Sequence, residues 1–323
     1  MAFRLLGLLA LVFGISAQAG VAEPMRRAYA PADCLEYLNA ASSSGLMDWR
    51  DMVEVEHCDR IKRLQRISEL TLGAEPQFYD ATIAADRLPQ NIGVRIPLLR
   101  VVFPERVFFD TDSSRLRPEA WGVARIVAEN LQHELPDVVV FVAGHADERG
   151  ESAYNQNLSI DRANALAEAI LGYGVNVASV WRIGFGEDMP LAAGSNEVAW
   201  GQNRRIEFLF AAKPEPVAVW LADQQVEMLC QGKTAKETSK CKKQLDFKKG
   251  YEAVEVVVGK QTVFPTDDKN GVDGTAGTKT AIDPGKDSSG VETGNTKTTI
   301  QIKPQRKIFI DPANRRVGEI ESN

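Results

Sequence analysis

The run Val138 to Ala143, VVVFVA, is the most constraining feature of this 323-residue chain. Six consecutive apolar residues, most of them β-branched, suit a strand covered on both faces and do not suit one with a solvated side. Gly144 ends the run and a polar loop follows. Ser159, Asp161 and Arg162 then open a helical pattern in which Ala163, Leu166, Ala167, Ile170 and Leu171 share one face. On this spacing Arg162 belongs to the first helical turn. A cation there is disfavoured by the helix dipole unless an anion meets it. Its planar fork suits a carboxylate, from Asp147 in the loop or from a ligand. A structural ion pair that pins the loop and a binding site both fit this pattern.

The neighbouring segments extend the unit. Val107 to Phe109 reads as an earlier strand. Pro118 and Glu119 open a helix whose buried face holds Trp121, Ala124, Val127, Ala128, Leu131 and Leu135, and Pro136 stops it. Further strands are expected at Val180 to Phe185 and at Arg205 to Phe210, the latter alternating Ile206, Phe208 and Phe210 with Glu207 and Leu209. The order β-α-β-α-β-β gives an α+β fold, helices packed on one mixed β-sheet. Residues 101–212 are enough for an independent core of this kind.

Four segments carry a family resemblance: VFFDTDSSRLRPEA (107–120), GHADERGESAYNQNLSIDRANALAEAIL (144–171), GFGEDMP (184–190) and GQNRRIEF (201–208). In order and spacing they resemble the OmpA-like peptidoglycan-binding domain, found at the C-terminus of outer-membrane porins, in peptidoglycan-associated lipoproteins and in flagellar stator proteins. In that family a loop Asp and a helix Arg hold the amino group and carboxylate of meso-diaminopimelate in the peptide stem. The resemblance implies these roles for Asp147 and Arg162, with Asp112 and Asn155 supporting the same ligand. It sets Asn203, Arg204 and Arg205 beside the pocket as loop braces first and ligand contacts second. Ala146 departs from the Thr common at its position, which removes a hydroxyl and leaves the charged pair. His145 is expected to orient the loop through hydrogen bonds.

The flanks read differently. Residues 1–19, with Arg4, an apolar core from Leu5 to Ile15 and Ala17-Gln18-Ala19, have the form of a cleavable signal peptide. Residues 20–100 form a helical region and connector: one helix through Leu35, Leu38 and Ala41, a second from about Asp48 to Leu72, then a Pro-punctuated stretch from 74 to 100 with one or two extended segments. Four cysteines in an exported chain favour disulfides, in the local pairs Cys34 with Cys58 and Cys230 with Cys241. After the stiff Lys213-Pro214-Glu215-Pro216, residues 213–264 form a small region with a helix from Val217 to Leu229, a Lys-rich disulfide loop, and hairpin strands at Tyr251 to Val258 and Gln261 to Phe264. Residues 265–299 have too few apolar side chains to order themselves and read as a disordered linker. The tail 300–323 carries Ile300, Ile302, Ile308 and Ile310, which suit a strand added to a partner.

Several chemistries find no support in the residues. His57, His133 and His145 lack metal-ligand spacing, and no nucleophile motif occurs. Asp147 with Glu148 or Glu151 lacks anything to raise a carboxylate pKa for glycoside hydrolysis. The Lys-rich stretch has no interleaved aromatics for nucleic acid. The expectation is therefore a non-catalytic protein, without cofactor or metal, exported to the periplasm and associated with the cell wall and the outer membrane. It binds the diaminopimelate-containing stem of peptidoglycan, and its terminal regions meet other envelope proteins. The alternative is a structural subunit of an envelope-spanning secretion or adhesion machine that uses the same fold for protein docking.

Overall fold

The computed structural model describes residues 26–27, 49–71, 73–135, 137–229, 250–257, 291–293, 296–298, 305–311 and 316–322. In chain order its elements begin with β1 (Arg26–Arg27), α1 (Trp49–Gln65), β2 (Gln77–Ile83), β3 (Ile96–Pro104), α2 (Ala120–Gln132) and β4 (Val139–His145). They continue with α3 (Ser152–Gly172), β5 (Ser179–Gly184), α4 (Glu197–Asn203), β6 (Arg205–Ala211), α5 (Pro214–Leu229) and β7 (Tyr251–Glu255). The last are β8 (Val291–Thr293), β9 (Thr296–Thr298), β10 (Arg306–Asp311), β11 (Arg316–Val317) and β12 (Glu321–Ser322).

The apolar run becomes β4, buried along its whole length. It pairs parallel with β5, placing Val140 opposite Val180, and antiparallel with β6, placing Val140 opposite Phe210. The sheet continues from β6 to β3, β2 and β1 on one side and from β5 to β7, β10 and β11 on the other. Both faces are covered, which is why β4 shows no alternation. On one face Ile61 and Leu64 of α1, Val123 and Val127 of α2, and Leu166 and Ile170 of α3 pack against Val101, Val142, Phe208 and Phe210. On the other, Val217 and Leu221 of α5, with Leu88 and Ile92, cover Phe141, Trp181, Leu209 and Ile308. Phe141 and Trp181 stack with ring centroids 5.2 Å apart.

Several sequence expectations are corrected. Val107 to Phe109 is no strand: Glu105–Val107 is a single 3-10 turn, and Phe109 makes only an isolated bridge to Leu116. The sheet strand is β3, which begins in the stretch 74–100 where one or two extended segments are expected, as β2 also does, and runs on to Pro104. Its prolines obscured it, yet Pro97 and Pro104 sit near the strand's two ends, where a missing N–H disturbs the ladder least. The helix after β4 starts at Ser152 rather than Ser159, because the polar residues Tyr154 to Asn157 join it as a first turn, so Arg162 lies mid-helix. In β6 every residue is buried, Glu207 included, because α5 closes the second face.

The flanks also differ. Pro214 starts α5 instead of stiffening a linker, consistent with the tolerance of the first helical turn for proline. β7 pairs with β5 and β10. Ile308 and Ile310 thus complete the chain's own sheet rather than a partner's. Within the span read as disordered, β8 and β9 pair with each other. Cys58 is buried and disulfide-bonded. Cys34, Cys230 and Cys241, the segment 1–19, the helix at Leu35 to Ala41, the strand at Gln261 to Phe264 and the Lys-rich loop lie outside the described residues. Among the described residues no helix is long and apolar enough to cross a membrane.

Candidate functional site

Four pieces of chain meet at the C-terminal end of β4: the loop 146–151, the middle of α3, the turn after β3, and Arg204 before β6. Two glycines allow the approach. A Cβ on Gly144 would lie 2.1 Å from the Ser159 carbonyl oxygen, and one on Gly184 would lie 2.5 Å from Ser159 Oγ, so α3 rests directly on the β4 and β5 backbones. Ser159 Oγ donates to Gln156 O (2.8 Å) and accepts from Gly186 N (2.9 Å), and Ala146 N donates to Gly186 O (2.7 Å). The loop is thereby fixed to its neighbour, the loop after β5.

The structure places Asp147 and Arg162 in one ionic chain without direct contact. Arg162 is buried and forms an ion pair with Glu105, donating also to Ser113 O (2.8 Å) and, at longer range, to Asp110 O (3.4 Å). Glu105 Oε2 meets Arg204 Nε at 3.1 Å, and Arg204 pairs with Asp147. Asp147 accepts from Arg149 N (2.9 Å) and Arg149 Nη2 (2.8 Å). The sequence Arg162, Glu105, Arg204, Asp147, Arg149 therefore alternates in charge. Its outer end is exposed, where the Arg149 guanidinium lies 4.5 Å from the Trp200 ring centroid.

These surroundings set the protonation states. Burial opposes ionisation of Asp147, but hydrogen bonds from Arg149 and Arg204 outweigh it and hold its pKa below the ordinary aspartate value. Glu105 goes the other way: burial, with the Asp147 charge adding to it, raises its pKa against the opposing pull of Arg162 and Arg204. Burial lowers the Arg162 pKa, and Glu105 counters that.

The other expected residues have plainer roles. Asn155 is buried and donates to Asp147 O (3.1 Å), Arg149 O (2.9 Å) and Glu187 Oε2 (2.7 Å), so it shapes the loop. Asp112, at φ +59°, accepts from the half-exposed Tyr154 hydroxyl (2.5 Å). Asn203 Oδ1 accepts from Leu191 N (2.8 Å) and Ala192 N (2.9 Å), which braces the neighbouring loop. Arg205 and His145 belong to a separate buried cluster: Arg100 Nε (2.7 Å) bonds Glu207 Oε2 and Arg205 Nε (2.6 Å) bonds Glu207 Oε1.

His145 does not orient the loop by hydrogen bonds. It stacks on Phe185 at 5.1 Å, and neither ring nitrogen has a hydrogen-bond partner among the described residues. Glu105 was missed because it precedes the motifs. Its signal was positional, since Pro104 lies opposite Arg205 in the β3 and β6 ladder and so brings the next side chain beside Arg204. Among the described residues no group of three His, Cys, Asp or Glu is arranged to hold a metal.

A groove of about 940 Å³ lies along the C-terminal half of α3, lined by residues that include Asp110, Ser113, Leu116, Arg117, Trp121 and Ala169. Two of these residues supply the carbonyls that Arg162 holds. Residues 108–204 match the OmpA family model. They form an OmpA-like domain. It resembles the peptidoglycan-associated lipoprotein of Pseudomonas aeruginosa, 38% identical over 100 residues that cover 31% of this chain and 58% of that protein. It also resembles outer membrane porin F of Pseudomonas fluorescens, 36% identical over 112 residues, 34% of each chain. Among solved structures, the peptidoglycan-associated lipoprotein from Burkholderia pseudomallei aligns with a TM-score of 0.29 at 31% identity, over 32% of this chain and 87% of that one. The chain spans less than two thirds of the lipoproteins it matches. The OmpA-like domain thus accounts for about a third of the chain, and the strands and helices flanking it extend its sheet and cover its second face.

Proposed function

We propose that this chain is a non-catalytic protein of the bacterial cell envelope that binds peptidoglycan through its OmpA-like domain. The finer part of the reading is that Asp147 receives the amino group, and Arg162 the carboxylate, of diaminopimelate in the stem peptide. One observation carries it: Asp147 and Arg162 lie in the same ionic chain at the end of β4, joined through Arg204 and Glu105, and Arg162 holds the carbonyls of Asp110 and Ser113, which line an open groove. Opposite charges held at fixed spacing in a largely dry site suit an amino acid with both groups free. The names of the relatives, peptidoglycan-associated lipoproteins, agree with this reading and with a place in the periplasm against the wall.

The test is retention on isolated sacculi by co-sedimentation, with free diaminopimelate as competitor. Removing one member of a desolvated charged contact costs about 2–5 kcal/mol, so Arg162→Ala and Asp147→Ala should lose most of their retention. Folded wild type that stays in the supernatant would defeat the proposal. It would favour a second reading, a domain that serves only protein docking in an envelope assembly. That reading draws on the internal partners of the two residues, Glu105 for Arg162 and Arg204 for Asp147, both residues being nearly closed to solvent.

A further inference from the structure

Resting on that reading, we propose that Glu105 is an internal counter-ligand, pairing with Arg162 and yielding it to the carboxylate of an incoming amino acid. Glu105 is set by backbone as well as side chain. Its N–H donates to Arg204 O (3.1 Å), and its carbonyl accepts from Phe108 N (2.8 Å) and Phe109 N (3.0 Å), so the carboxylate is delivered beneath α3 whether or not a ligand is present. Arg162 is buried, with its remaining donors on Ser113 O and Asp110 O. A ligand carboxylate that binds Arg162 must therefore take the place of one of these partners, and Glu105 is the one that carries a charge.

The contact is built to exchange. Glu105 Oε1 pairs with Arg162 and Oε2 with Arg204, so one carboxylate bridges two guanidiniums and a ligand oxygen arriving at Arg162 displaces only one of its two contacts. When Glu105 lets go it is not stranded, because its other oxygen already meets Arg204 at 3.1 Å. Arg204 in turn keeps Asp147, which stays available for an ammonium group. A bound carboxylate beside an ionised Glu105 is a like-charge juxtaposition, which penalises ligands that bring only a negative charge. A ligand that also offers an ammonium to Asp147 offsets it. Glu105 thus selects zwitterionic amino-acid ends over plain carboxylates.

Protonation of Glu105 eases the exchange. The groups facing it are Arg162 from α3, Arg204 ahead of β6, and Asp147 with Arg149 from the loop after β4, while Asp110 and Asp112 flank Arg162 on the following loop. Burial raises the Glu105 pKa, whereas that of Asp147 is lowered, so mild acid neutralises Glu105 first and leaves Asp147 charged. Ligand affinity is therefore expected to rise as pH falls from neutrality into mild acid, where an α-carboxylate and an α-ammonium keep their charges.

The experiment is calorimetric titration of the full chain with free meso-diaminopimelate, and with pimelate as the amine-free probe, across that pH range. Glu105→Gln is expected to bind diaminopimelate about tenfold more tightly at neutral pH, to lose the pH dependence, and to accept pimelate. Glu105→Asp, too short to reach Arg162 but still charged, is expected to bind diaminopimelate more tightly than wild type while still discriminating against pimelate. Wild type and Glu105→Gln of equal or reversed affinity, with Arg162→Ala still unable to bind, would overturn the exchange and leave the anchor reading standing. If neither glutamate variant folds, the wild-type profile decides, and affinity that stays flat or falls towards acid overturns the proposal. Wild type that binds at no pH removes both readings together.

Discussion

Replacing Gly144 by alanine puts the packing of α3 on β4 to a direct test. The added methyl would stand 2.1 Å from Ser159 O, 2.9 Å from Ser159 C and 3.2 Å from its Cα. Ordinary contact needs about 3.4 Å or more, and the obstructing atoms are helix backbone, which has no rotamer to escape into. The helix must retreat by more than an ångström at the point where its neighbours Gly144 and Gly184 hold it against two strands. Overpacking of this kind costs about 1–3 kcal/mol, and a rigid backbone obstacle belongs at the upper end. For a domain of this size each kcal/mol lowers Tm by about 2–4 °C, so a loss of about 6–12 °C is expected by differential scanning calorimetry. Arg162 sits one turn beyond Ser159, so wall retention should fall with stability. Gly201→Ala in α4 is the control: nothing lies within 4 Å of its Cβ, and the change should be neutral or stabilise by about 0.5–1 kcal/mol. A Gly144→Ala protein that melts with wild type and sediments with sacculi would refute the close approach.

Two further outcomes follow from buried charge. Burial, reinforced by Arg205, holds the His145 pKa well below 6.5, so the ring is neutral when folded but takes a proton in the unfolded chain below about pH 6.5. The unfolded state then binds more protons, and urea-unfolding stability should decline from that pH downward at about 1.4 kcal/mol per unit until the folded pKa is reached. His145→Gln should lack this component, and an unchanged pH profile would count against it. Arg60 binds Glu134 through two bonds of 2.6 Å, both side chains buried where α1 meets the end of α2. Glu134→Ala leaves Arg60 uncompensated and is expected to cost about 3–5 kcal/mol in urea, whereas Arg60→Met with Glu134→Leu should recover most of it.

Much of this protein was legible along the chain, because local pattern carries local structure. The run Val138 to Ala143 read as a strand covered twice, and α2, β5 and β6 followed from spacing of three to four residues or from alternation. The motif segments located Asp147, Arg162 and Asn155, and the resemblance they carried assigned the domain. What failed was wherever a contact distant in sequence outweighed local preference. Pro97 blurred the start of β3, which was read as an extended piece of a connector rather than as a strand of the sheet, since proline reads as punctuation unless its place at a strand end is known. Tyr154 to Asn157 were read as loop, although they begin α3. Glu207 was read as the polar side of β6, before α5 was known to close that face.

The sequence by itself determined which residues are apolar, where helices and strands recur, and that a carboxylate and a guanidinium border one loop. Tertiary structure alone decided who pairs with whom. Arg162 found Glu105, which lies 57 positions earlier, and Asp147 found Arg204, 57 positions later, because the β3 and β6 ladder sets those side chains together at the end of β4. It also decided that Ile308 and Ile310 complete the chain's own sheet through β7 and leave no strand for a partner to take from them. The physical reason is the range of the forces involved: propensity and periodicity act over a few residues, whereas ion pairing and sheet closure depend on distances in space that only the assembled core establishes.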